Sequence, residues 1–332
     1  VTVTRAGGFN FANAETTRAD FYVQDEISLF GGRLLLLPGA RLANYRIEPN
    51  PDEDYQVVPG AEPRTITSTD LQFKFGATFH IDDHFSIYGQ YAEGFKMPTA
   101  EQLYTSLPGT AFNLIPAPDL EPEKVTNYEI GLRGRFSQAA FSVNAFYADY
   151  TNFIQSFYNP PNTNDITFRN LSEVEIYGIE AYGEALLTEE LSVNGLLTWQ
   201  HADQVTSPGD PETPFDVSPL TAVLGLTYRP DCVQGLRLDA VGTFAAEPDR
   251  VSDDALFVPG GYAVFDAYLS YDLTERVRLT GAMLNVTDER YFQWPFPNTY
   301  NRTASDRVAR ANPVELQTQP GRTFRVGVDV AF

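Results

Sequence analysis

An all-β fold, specifically a transmembrane antiparallel up-and-down β-barrel, is what this sequence predicts, on three observations. Apolar residues alternate with polar or small ones along almost the whole length, while helical periodicity is hard to find. The connections between alternating runs are short, long, short, long in turn, as when strands join by tight turns at one end and large loops at the other. The better runs also carry one clean apolar face opposed by a polar or small face, with aromatics near the ends, as a wall between lipid and lumen requires. A soluble β-sandwich alternates too, but its strands are nearer about five or six residues and its loops are not sorted by length.

Composition excludes other classes. The 332 residues suffice for one large β domain or two smaller ones, and 23 basic against 44 acidic residues, a net charge of -21, argue against any nucleic-acid partner. The single cysteine, Cys232, rules out an intrachain disulfide and a cysteine-based zinc cluster. No stretch approaches the roughly eighteen consecutive apolar residues of a membrane helix. The best run, Leu34 to Leu37, is broken by Pro38 and Gly39. The opening VTVTRAGGFNF has neither the basic region nor the apolar core of a signal peptide. Spanning by helices is thereby excluded, whereas spanning by strands needs only about ten alternating residues each.

The strands follow in order. The first is expected over Ala19–Leu29, ending at the turn Phe30-Gly31-Gly32, and the second over Arg33–Ile47. An acidic loop from Pro49 to Pro63 precedes the third, Thr69–Ile81, whose apolar face is Leu71, Phe73, Phe75, Ala77 and Phe79. The turn Asp82-Asp83-His84 leads to the fourth, marked by Phe85, Ile87, Gly89 and Tyr91, which ends at Phe95. After a long loop the fifth starts near Lys124, with Tyr128, Ile130 and Leu132 on one face and Glu129, Arg133 and Arg135 on the other. Phe141 to Tyr147 mark the sixth, and a loop at Tyr158–Asp165 precedes the seventh, around Val174–Leu187. A tight turn at Thr188-Glu189-Glu190 leads to the eighth, where Leu191, Val193, Leu197 and Trp199 face one way. The ninth (Ala222 to Tyr228) and tenth (Leu236 to Phe244) bracket Cys232. The eleventh (Phe265 to Leu273) and twelfth (Val277 to Met283) are joined by Thr274-Glu275, and the last runs from Phe324 to Phe332.

About thirteen strands cannot close as a bacterial barrel, because the first and last would meet in parallel and such barrels hold even numbers. Barrels of about twenty-two strands enclose a plugged lumen. Residues 1–332 are therefore expected to be the C-terminal portion of one larger barrel, with further strands and a plug preceding them.

Five motifs carry a resemblance. They are FYVQDEI (Phe21–Ile27), GFKMPTAEQLY (Gly94–Tyr104), PAPDLEPEKVTNYEIGLRG (Pro116–Gly134), NVTDERYF (Asn285–Phe292) and PGRTFRVGVDVAF (Pro320–Phe332). Through them the chain resembles the β-barrel of TonB-dependent outer-membrane receptors over essentially its whole length. Phe95-Lys96-Met97-Pro98 and Ala117-Pro118-Asp119-Leu120 look like the paired boxes of the haem and haemoglobin receptor branch. The resemblance implies binding by long outer loops and uptake energised by the TonB complex acting on the plug. It also implies outer-membrane lipid around the wall and a terminal Phe332 read by the barrel-assembly machinery. The cargo implied is haem, free or on a haem-carrying protein, with no intrinsic cofactor. A ferric siderophore or another TonB-dependent substrate is the alternative within the class; a passive porin and a soluble β-sandwich binding module lie outside it.

On this resemblance the ligand-binding residues are Phe95, Lys96, Met97, Pro98, Tyr104, Pro118, Asp119 and Leu120. The branch places a haem-ligating His between its boxes, and this sequence has none between Phe95 and Leu120. Tyr104 is the nearest substitute, since a phenolate can hold haem iron; His201, at the outer end of a strand, is the second candidate. Against these stand Tyr104 as an aromatic packing the loop base and His201 as a solvated rim residue. Phe95, Tyr104, Phe112, Tyr158, Phe215, Trp294 and Phe296 form either an outer binding surface or a girdle at the membrane boundary.

Enzyme readings find no support. No Ser sits in a nucleophile-elbow context, and Glu189-Glu190 and Asp253-Asp254 read as turn and loop solvation. The acidic loops lack a calcium-ligand spacing. Glycines within the strands, such as Gly131 and Gly281, fit barrel curvature and close packing.

Overall fold

The computed structural model describes residues 10–107, 113–161, 163–252, 257–295 and 317–331. Thirteen long strands run in chain order. They are β1 (Ala14–Gln24), β2 (Leu34–Pro49), β3 (Ile66–His80), β4 (Phe85–Lys96), β5 (Glu123–Arg135), β6 (Ala139–Tyr158) and β7 (Asp165–Leu186), then β8 (Leu191–Val205), β9 (Thr221–Tyr228), β10 (Leu236–Ala245), β11 (Tyr262–Thr274), β12 (Val277–Leu284) and β13 (Thr323–Val330). Each long strand pairs antiparallel with the next, giving one up-and-down sheet with β1 and β13 at its edges. Among the described residues three short strands (Ile27–Leu29, Asn113–Leu114, Thr213–Pro214), one α-helix, α1 (Ala100–Tyr104), and one 3-10 turn (Phe30–Gly32) decorate it.

The connections sort by end, as the alternation predicts. Tight turns at 81–84, 136–138, 187–190 and 275–276 close one end, and the long connections between 49 and 66, 96 and 123, 205 and 221, 245 and 262, and 284 and 323 leave and re-enter the sheet at the other. The turn chemistry is local: the Asp82 carboxylate accepts the backbone N–H groups of His84 and Phe85, each at 2.8 Å, which holds its pKa below the usual carboxylate range.

Register makes the two faces continuous. Cross-strand partners link Phe79 to Ile87, Leu132, Val143, Ala181 and Leu197 on one face. The opposite face runs from Thr78 through Tyr88, Gly131, Asn144 and Glu180 to Thr198. The apolar face is bare: Leu71 is 53% exposed, Ile130 62% and Leu197 41%. A soluble sheet covers such a face, and an uncovered one of this extent belongs against another apolar phase. On the polar face a Cβ at Gly131 would lie 2.4 Å from Tyr88 Cζ, and the Arg133 guanidinium sits 4.0 Å above that same ring. Glycine here lets the tyrosine lie flat on the neighbouring strand.

Two departures from the sequence expectation concern the loop end. β6 and β7 extend to 20 and 22 residues, so the loop expected at Tyr158–Asp165 is only the tip of a hairpin that outruns its neighbours. β5 pairs with β6 only up to Thr151, and β8 with β7 only back to Glu173. Beyond those points the flanking surfaces are loops, so strict apolar–polar alternation is not required and the pattern fades. α1 is too short for a helical period to register.

Candidate functional site

The described parts of the loop at 97–122 fold onto the strand ends at the long-connection end of the sheet and build a core there. Met97, Leu103, Tyr104, Leu114 and Leu120 pack with Ala12, Ile47, Ile154 and Phe168 in one buried cluster. Each buried Leu, Met or Phe contributes about 1.5–3 kcal/mol relative to exposure, so this cluster outweighs what the loop's few backbone bonds supply. α1 begins at Thr99, whose hydroxyl accepts from Gln102 N at 3.3 Å while Thr99 N donates to Gln102 Oε1 at 2.9 Å. That reciprocal cap fixes where the turn starts and drives Leu103 and Tyr104 inward.

Tyr104 is fully buried. Its hydroxyl donates to Arg64 O at 2.7 Å, and its own carbonyl accepts the Tyr55 hydroxyl at 3.0 Å. Burial pushes the Tyr104 phenol up to about 12, so it stays protonated at neutral pH. In this conformation its oxygen is committed to the neighbouring loop.

The two boxes meet around that ring. Met97 and Pro98 from the first, and Pro118 and Leu120 from the second, are buried, and Phe95 lies edge-on to Tyr45 at 5.5 Å. Ala117 N donates to Gln102 O at 3.2 Å, tying the second box to α1. Lys96 and Asp119 point out: Lys96 reaches Glu123 at 3.4 Å, and Asp119 pairs with Arg64. The eight box residues are thus one assembly, six packed inward and two facing solvent.

The hairpin of β6 and β7 is stitched to this loop by residues that carry no sequence signal of function. Thr167 Oγ1 donates to Ile115 O at 2.9 Å and Ile115 N to Ile166 O at 2.8 Å. Asn170 Oδ1 accepts Glu121 N at 2.9 Å while Asn170 Nδ2 donates to Glu121 O at 3.0 Å. The cap pattern Thr99-x-x-Gln102 could have located α1; nothing in the run Asp52-Glu53-Asp54-Tyr55 marks Tyr55 as a partner of Tyr104.

The other candidates lie elsewhere. His201 is on the apolar-face parity of β8, its ring 4.9 Å from that of Tyr177 and its Nε2 3.1 Å from Asp203 Oδ2, with Arg250 in contact. Phe215 meets Phe153 at 5.2 Å, and Tyr158 lies 3.6 Å beneath the Arg169 guanidinium. Trp294 is buried. Phe112, Phe296 and Phe332 lie outside the described residues. Among the described residues no group of three or more His, Cys, Asp and Glu is arranged to hold a metal ion.

NVTDERYF has a structural explanation. Asn285, 3% exposed, donates its backbone N–H to Asp266 at 2.7 Å and its side-chain amide to Glu289 O and Pro320 O. Asp288 accepts Arg322 N at 2.8 Å. The motif therefore fastens the end of β12 to the start of β13.

Comparison with known proteins places this architecture. A family model described as "TonB dependent receptor-like, beta-barrel" matches residues 2–286. The chain is 27% identical over 300 residues to hemoglobin-haptoglobin utilization protein B of Neisseria meningitidis, covering 78% of this chain and 37% of that protein. It is 25% identical over 311 residues to the hemin receptor of Yersinia pestis, covering 85% and 42%. Among solved structures, the copper transporter OprC superposes with a TM-score of 0.75 at 18% identity, covering 96% of this chain and 50% of that one. The FrpB iron transporter of Neisseria meningitidis gives 0.70 at 16% identity, covering 98% and 46%. The chain thus spans well under half the length of these two curated relatives and about half of these two solved barrels. Strand order, bare apolar face and family match agree, and the chain belongs to the TonB-dependent receptors, as part of their outer-membrane β-barrel.

Proposed function

We propose that this chain is the C-terminal wall and outer-loop portion of a receptor that takes up haem, free or on a haem-carrying protein. Its long loops face the cell exterior, and uptake is energised by TonB through a plug contributed by the rest of the protein. The observation that carries the cargo reading is the convergence of both boxes on one packed loop, together with relatives named for hemoglobin and hemin. Of the two boxes, Lys96 at the end of β4 and Asp119 in the loop are the proposed direct contacts, because they alone of the box residues face solvent as charged groups. Phe95, Met97, Pro98, Tyr104, Pro118 and Leu120 act by shaping the platform. Burial of the Tyr104 phenol, and the engagement of His201 with Asp203 and Arg250, support haem contact without an iron ligand from either.

A ferric chelate is the second reading, favoured by the superposition on an iron transporter. Titrating haemin into the full-length receptor separates the two. A shifted Soret band is expected; no shift, with binding of a ferric siderophore, replaces the haem reading.

A further inference from the structure

The acidic loop at 50–65 carries no motif, yet it is joined to the box loop through buried and bridging hydrogen bonds. Tyr55 packs against the shared cluster and gives its hydroxyl to Tyr104 O at 3.0 Å, while Tyr104 gives its own to Arg64 O at 2.7 Å. Asn10, ahead of β1, bridges both loops. Its Nδ2 lies 2.6 Å from Gln56 O and 2.8 Å from Ser106 Oγ, and its Oδ1 accepts Gln56 N at 2.9 Å. Its backbone pairs with Ser106 in both directions, at 2.8 and 3.0 Å. Arg64 adds the ion pair to Asp119.

Each of these bonds crosses between segments 40 to 96 residues apart in sequence. They are therefore not products of local turn formation; they exist only when the two loops are docked. Because Tyr104 donates to Arg64 O and accepts from Tyr55 of the same loop, the box loop cannot move away without breaking a part-buried hydrogen bond. We infer that loop 50–65 is the second half of the ligand-engaging surface, with Tyr55 and Asn10 as positioning residues that hold it against the box loop. This rests on the receptor reading above. Arg64 of the acidic loop is itself the ion-pair partner of Asp119, so a ligand meeting Asp119 meets that loop as well.

The test uses the full-length receptor in lipid vesicles, with Tyr55→Phe, Asn10→Ala and the doubly substituted protein. Amide exchange is followed in 50–65 and 100–107, with β8 as internal reference, and binding is measured with haemin and with haemoglobin. Loss of one buried hydrogen bond should raise exchange in both loops together by roughly two- to tenfold, leave β8 unchanged, and weaken probe binding by a similar factor. Exchange that rises only in the loop carrying the substitution would overturn the inference, as would full-strength binding when both loops have loosened. Should the unsubstituted receptor bind neither probe, the cargo reading fails; coupled exchange would still uphold the junction and uncoupled exchange would still remove it.

Discussion

Thr105 ends α1 with its side chain 2% exposed and its hydroxyl without a hydrogen-bond partner among the described residues. A buried hydroxyl in that state costs about 1–3 kcal/mol of desolvation that nothing returns. Thr105→Val keeps the shape and removes the penalty, so the loop should be unchanged or up to about 1 kcal/mol more stable. Amide exchange of Leu103 and Tyr104 reads this directly; faster exchange in the Val protein would mean the hydroxyl has a partner after all. Gly131 is the opposite case. The Tyr88 ring occupies the space of its missing Cβ, and the Arg133 guanidinium lies over that ring. Gly131→Val must displace the Tyr88 ring and disturb its contact with Arg133, at about 1–3 kcal/mol. Equilibrium unfolding in vesicles should register that loss, and Gly281, where an added Cβ would meet nothing within 4 Å among the described residues, supplies the tolerant control.

The tall hairpin of β6 and β7 is the element that sets the loop end in place. One side of it receives the box loop through Ile154, Phe168 and Asn170, and Phe153 meets Phe215 of the following loop. Asn170 alone satisfies Glu121 N, Glu121 O and Asn152 O. Asn170→Ala strands three backbone groups at once, and the segment 116–122 should become several times more susceptible to limited proteolysis while β8 to β12 keep their protection; equal susceptibility would show that the cluster alone holds the loop. How readable such elements are from sequence follows from what surrounds them. Inside the wall, alternation is enforced by two different media, so β3, β5 and β8 lie within a few residues of where Leu71, Tyr128 and Leu197 place them. Above the wall the hairpin faces protein on both sides, and Asn152, with φ of 56°, Arg169 and Asn170 break the pattern. The boxes were readable as motifs, but their inward packing was not. Tyr104's partners, Tyr55 and Arg64, come from a loop forty or more residues away, and no local pattern encodes that docking.

For the whole molecule, the deciding quantity is the contrast between two faces of one sheet. Leu197 continues a row through Ala181, Val143 and Leu132, whereas Thr198, one residue on, pairs with Glu180 and belongs to a row with Asn144 and Gly131. A one-residue step therefore moves a side chain from the lipid side to the lumen side, and the register of the six consecutive strands β3 to β8 rests on keeping those assignments. Charge placed on the two faces should have unequal consequences. Leu197→Lys puts an ammonium against hydrocarbon and should cost roughly 2–4 kcal/mol if the site lies near the bilayer midplane. Thr198→Lys puts the same charge beside Glu180 in a polar interior and should cost well under about 1 kcal/mol. Both are measured as unfolding free energies of the full-length barrel in the same lipid. Equal costs would contradict the assignment of faces, and a reversed order would mean that the Thr198 row, not the Leu197 row, is turned towards the apolar phase.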